Sequence, residues 1–133
     1  MAGHAGWYND AETIFHIWFD GDWGADEFRE TLSSARADND PQSMKPHYII
    51  FEYKTTPSAA RALSLLPEVA KLVPQSYPQT LGFVNIVPKR GFMATVMRVY
   101  RRVYASDTEF YVDSMDEALA LIHAKLADPD QNA

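Results

Sequence analysis

The chain contains no cysteine. A disulfide framework, a thiolate zinc site and a cysteine nucleophile are therefore all excluded. No apolar run approaches the ~20 residues that a membrane-spanning helix needs. Residues Met1 to Asp10 carry neither a basic segment nor an apolar one, so no secretory signal is expected and a cytoplasmic location is. Internal repeats and low-complexity tracts are missing. The G-x-S-x-G elbow, the P-loop, the G-x-G-x-x-G turn and H-E-x-x-H are missing too. The enzyme reading starts without a catalytic constellation, and no cofactor or metal is expected.

What is present suits a folded domain. At 133 residues, 47% of them hydrophobic and 13% aromatic, the chain can bury a core as one domain spanning its whole length, with about 7–126 as the core. The formal charge of −6 argues against general affinity for nucleic acid. That charge is uneven. Five of the twelve basic residues fall between Lys89 and Arg102, in "KRGFMATVMRVYRR", and the rest of the chain is correspondingly more acidic.

Strand and helix patterns alternate. In "TIFHIWF" (Thr13–Phe19) Ile14, His16 and Trp18 share one face and Phe15, Ile17 and Phe19 the other, so both faces are expected to be covered. Trp7 and Tyr8 read as a short strand before it, with Asn9–Glu12 as a hairpin turn. Gly24–Asp38 reads as a helix with Asp26 and Glu27 in its first turn and Phe28 and Leu32 one turn apart. His47–Tyr53 is the next strand. Thr55–Val73 is a helix that Pro67 kinks or divides, with Thr56 as N-cap and Pro57 in the first helical position. Thr80–Val87 is a strand, Pro88–Tyr104 contains a third helix, and Thr108–Val112 is the last strand. A closing helix begins at Ser114, which forms a capping box with Glu117. The order is (β)βαβαβαβα. It predicts an α/β domain with one mixed, mostly parallel sheet, in which Trp7–Tyr8 runs antiparallel to its neighbour.

Candidate functional residues are few. Of the four histidines, His4 sits near the start, His16 and His47 in or beside strands, and His123 on a helix face, where histidine is ordinarily structural. "DGDWGADE" (Asp20–Glu27) gathers four acids. A calcium loop needs glycine at its sixth position and glutamate at its twelfth, and here Ala25 and Thr31 stand there. A strand-to-helix turn with acids at the helix dipole accounts for it better. Asn85 is the polar residue inside "FVNIV", to be satisfied by backbone or by a ligand. Thr56 and Ser58, in "TTPS" after a strand, mark a candidate phosphorylation or anion site at a helix start, or a cap alone.

"WYNDAETIFHIWFDGDWGADEF" resembles the opening of the SpoIIAA-like group of the STAS superfamily (sulfate transporter and anti-sigma-factor antagonist domains). There a Trp-led strand, an acidic turn, an apolar strand, F-x-G-x-W and an acidic helix start follow in order. Phe19, Gly21 and Trp23 match that pattern. "EFYVDSMDEALALI" resembles the group's last unit. The likeness spans about Trp7 to Leu126. It implies a βα superhelix without a catalytic centre, serving as a regulator, a transporter module or a scaffold. The group's phosphorylatable Asp-Ser-x-Gly is not matched, because Pro57, Ser58, Ala59 and Ala60 follow Thr56 here.

At 100° per residue, the third helix puts Phe92, Val96, Val99 and Val103 on one stripe, to face the sheet. Met93, Met97, Tyr100 and Tyr104 form a second, with Arg98, Arg101 and Arg102 filling most of the rest. The second stripe either packs on neighbouring helices or forms an arginine-rimmed interface. The expected function is a non-enzymatic STAS-like interaction or regulatory domain with a protein partner or a second copy, a homodimer included. The alternative is a module for a small anionic or apolar ligand at the strand C-termini, near Thr55–Ser58 and Asn85.

Overall fold

The computed structural model describes residues 3–38, 40, 43–55, 80–86, 94, 95, 98, 102 and 108–127. Five strands form one sheet: β1 (Gly3–Trp7), β2 (Ile14–Phe19), β3 (His47–Tyr53), β4 (Thr80–Ile86) and β5 (Glu109–Val112). They lie side by side in chain order. β1 pairs antiparallel with β2, and β2 through β5 are parallel. The two helices fully described are α1 (Ala25–Asp38) and α2 (Met115–Leu126). The chain is thus an α/β protein with a mixed, mostly parallel sheet, as its alternating patterns lead one to expect.

Strand alternation divides the core into two halves. Phe15, Ile17, Phe19, Ile49, Phe51, Tyr53 and Phe83 pack with Phe28, Leu32 and Ala35 of α1 on one face. Ile14, Tyr48, Ile50, Val84 and Ile86 pack with Ala118 and Ile122 of α2 in the other cluster. Each fully buried Phe, Leu or Ile contributes roughly 1.5–3 kcal/mol, so the sheet's double-sided cover is the main source of its stability. α1 comes closest at β1. A Cβ on Gly3 would stand 1.8 Å from Thr31 Oγ1, so only glycine lets the helix settle there. Thr31 itself bonds back to the Glu27 carbonyl at 2.7 Å.

The turns show why their residues are there. Asn9 clasps the β1–β2 hairpin: its Oδ1 accepts from the N–H groups of Thr13 and Ile14, and its Nδ2 donates to Thr13 Oγ1. Gly21 takes φ +85, a left-handed conformation that costs glycine little. Two of the acids of Asp20–Glu27 brace this turn. Asp20 accepts from Gly21 N–H at 2.9 Å, and Glu27 reaches back to Gly24 N–H at 2.8 Å. Asp26 pairs with Arg29 along α1. Ser114 caps α2 by accepting from Glu117 N–H at 3.2 Å. The reciprocal bond of the box lands one residue early, because the Glu117 carboxylate takes the N–H of Asp113 instead of that of Ser114.

Two expectations need adjusting. The first strand starts at Gly3 and takes in His4, and Tyr8 lies just beyond its end. Glycine and histidine hide such a strand from propensity; pairing with the aromatic β2 makes it. The α2-side face of β2 is also not fully covered, since His16 and Trp18 are only half-buried. α2 lies against β4 and β5, at the far side of the sheet.

Candidate functional site

The uncovered part of that face gathers polar and aromatic side chains. Register sets His4 of β1 opposite Trp18 of β2, and Trp18 beside Glu52 of β3. The imidazoles of His4 and His16 both stack on Trp18, with ring centroids 5.1 and 4.6 Å away. Lys54 Nζ stands 5.8 Å from the Trp18 ring, and Tyr8 meets His16 edge-on. Among the described residues Tyr8 is the large apolar side chain that stays exposed, at 47%.

The centre of the group is a hydrogen-bonded pair, His16 and Glu52. His16 Nε2 lies 3.0 Å from Glu52 Oε1, with both side chains mostly covered. Burial pulls the His16 pKa below its ordinary value, the Glu52 hydrogen bond and charge pull it back up, and Lys54 adds to the lowering. With the carboxylate ionised, Nε2 carries the proton it donates and Nδ1 keeps the lone pair. Protonation would then place an imidazolium against the Trp18 face, an arrangement the indole quadrupole favours. Burial outweighs these favourable contacts, so the folded site takes up this proton less readily than a free imidazole does.

His47 behaves differently. It is fully buried, and its Nδ1 lies 2.7 Å from the Lys45 carbonyl. That oxygen can only accept, so Nδ1 carries the proton and Nε2 is left as an acceptor. Among the described residues Nε2 has no hydrogen-bond partner. Trp7 closes over the ring edge-on at 5.5 Å. Trp7 also lines a shallow cleft with Glu12, Asp40, Ser43 and Met44, before the amino ends of β2 and β3.

Of the sequence candidates, Asn85 is 6% exposed on the α1 face of β4. Its amide donates to the Phe110 carbonyl at a long 3.4 Å. Register sets it beside Tyr111, whose hydroxyl donates to Glu109 at 3.0 Å. Burial raises the Glu109 pKa, against the opposing effect of that hydrogen bond. Thr55 is a structural clasp. Its hydroxyl donates to the Gly21 carbonyl at 2.7 Å, and its own carbonyl accepts from Trp23 Nε1 at 2.9 Å. Thr56 and Ser58 lie outside the described residues, as do Met93, Met97, Tyr100, Arg101 and Tyr104. Arg98 and Arg102 are helical and exposed.

Among the described residues no three histidines or acids are grouped to hold a metal ion. No described helix is long and apolar enough to cross a membrane. The His4–Trp18–His16–Glu52 arrangement escaped sequence reasoning because its members come from three strands. One signal was present: Glu52 interrupts the apolar run "HYIIFEY" on the same strand face as Ile50. No family model, no curated protein and no solved structure matches the chain.

Proposed function

We propose that the protein is a non-enzymatic, STAS-like regulatory or protein-interaction domain of the cytoplasm. The observation that carries the reading is the exposure of Arg98 and Arg102, one helical turn apart, in the basic segment of a chain whose net charge is −6. Exposed arginines beside methionine and tyrosine are the composition of an interface rim, and they complement an acidic partner or a second acidic copy. The test is the double variant Arg98→Glu, Arg102→Glu. Exposed ion pairs contribute about 0–1 kcal/mol to folding, so the melting temperature should hardly move. Association, followed by sedimentation equilibrium alone and with acidic candidate partners, should weaken. Association unchanged by both reversals overturns the reading.

Asn85 supports a second reading, a binder of a small anionic or apolar ligand at the strand C-termini. A side chain this buried with one long hydrogen bond has capacity left for a ligand. Under this reading millimolar phosphate or benzoate raises the wild-type melting temperature, and Asn85→Leu abolishes the shift. No shift with either probe retires it.

A further inference from the structure

The outer edge of β1 presents unpaired backbone groups, although Gly3 at its start is buried beneath Thr31 of α1. Tyr8 N–H donates to the Ile14 carbonyl at 2.8 Å, which makes Tyr8 and Ile14 a hydrogen-bonded pair. Such pairs alternate along an antiparallel ladder. Gly6–His16 and His4–Trp18 are therefore the other bonded pairs of this ladder. The N–H and C=O groups of Gly3, Ala5 and Trp7 point the opposite way, off the sheet. Among the described residues nothing hydrogen-bonds to them. Native edges are usually blunted by lysine, proline, a bulge or an inward charge. "GHAGW" has no proline and no Lys, Arg, Asp or Glu, and its register with β2 is unbroken.

The side chains of this strand are complementary to themselves. An antiparallel pairing with a second copy centred on Ala5 sets Trp7 opposite Gly3, His4 opposite Gly6, and Ala5 opposite Ala5. Each large ring then faces a glycine, and the centre is two methyl groups. The outward groups of Gly3, Ala5 and Trp7 meet one another as bonded pairs, giving about six inter-chain hydrogen bonds, two for each pair. No permanent charges meet across the junction, which matters for a chain of net charge −6.

We propose that β1 is a self-pairing edge, through which two copies join antiparallel about Ala5 into one continuous sheet. This surface lies in a different part of the sequence from the arginine-bearing segment. It does not depend on the role proposed there.

The experiment is sedimentation equilibrium of the full chain near neutral pH, with amide exchange measured at low and high protein concentration. Ala5→Lys sets two like charges face to face at the centre of the pairing, while Ala5 is exposed in the single copy. Gly6→Val supplies an independent check. A Cβ on Gly6 meets nothing within 4 Å in the single copy, but in the pair it would face His4 of the second copy. The wild type should dimerise, and the amides of Gly3, Ala5 and Trp7 should slow with concentration. Each variant should weaken dimerisation by about tenfold or more, while melting of the dilute protein is unchanged. A monomeric wild type overturns the proposal. So does a dimer indifferent to both β1 variants but lost on reversal of Arg98 and Arg102, an outcome that would leave the helix reading standing. Outward amides that slow only when another protein is added assign the edge to an extended foreign peptide and likewise overturn self-pairing.

Discussion

Trp23→Ala is expected to destabilise the domain by about 3–5 kcal/mol, the usual cost of truncating a buried aromatic. At this chain length that corresponds to a fall in melting temperature of roughly 10–20 °C. Trp23 is 1% exposed, stacked on Phe19 at 4.6 Å and on Tyr53 at 5.6 Å. Phe19 in turn stacks on Phe28 of α1. Removing the indole opens a cavity where β2, β3 and α1 meet. It also takes the only indole donor from the Thr55 carbonyl, so the end of β3 loosens from the turn after β2. Trp23→Phe separates the two effects. It retains a ring in the stack and loses the donor, for about 1–3 kcal/mol if that carbonyl stays dry. Urea denaturation of both variants gives the comparison. A loss below about 1 kcal/mol for Trp23→Ala would contradict the packing described above.

This unit also shows how far the sequence could be read. Phe19, Gly21 and Trp23 stood out as a pattern, and their spacing is a physical necessity of one turn. Gly21 supplies the left-handed residue, and that bend returns Trp23 onto the Phe19 ring. The strands His47–Tyr53 and Thr80–Ile86 were legible because β-branched and aromatic residues run together there. The helix at Ala25 was legible from Asp26, Glu27 and the Phe28–Leu32 spacing. Such local signals mark elements well.

Partnership between elements is another matter. Nothing local in "GHAGW" says strand; its place comes from backbone bonds to β2 and from the space Thr31 needs above Gly3. Nothing near His16 says that Glu52, thirty-six residues on, will accept a hydrogen bond from its Nε2. Asn85 was visible as an oddity in an apolar strand, but its neighbour Tyr111 follows only from the β4–β5 register. The candidate site is therefore a product of register. Alternation tells which residues share a face, and only pairing tells which of them meet.

Acidification below about pH 6.5 should destabilise the protein, with His47 as the main cause. Burial lowers the pKa of His47, and the Lys45 carbonyl only partly opposes this. His16 shifts the same way, chiefly by burial. The unfolded chain therefore binds protons near pH 6.5 that the folded chain refuses. Their contribution to stability is complete above that pH and is lost as the pH falls towards and through the depressed folded values. Between the two values each group can cost up to about 1.4 kcal/mol per pH unit. Glu109 works in the opposite sense. Its raised pKa means the folded state takes up a proton before the unfolded one does, so acid relieves rather than penalises it. That relief is confined to the range above the carboxylate's ordinary 4.5, and it opposes two histidines. His47→Asn isolates the main contribution. An asparagine amide can donate to the Lys45 carbonyl in place of Nδ1, and it does not titrate. Urea midpoints measured from pH 8 to pH 5 should fall steeply for the wild type and much less for His47→Asn. Glu52→Gln should steepen the fall, because His16 then loses the charge that favours its protonated form. Parallel curves for wild type and His47→Asn would mean that the buried imidazole accepts its proton in place, and that the unpartnered Nε2 finds an acceptor on protonation.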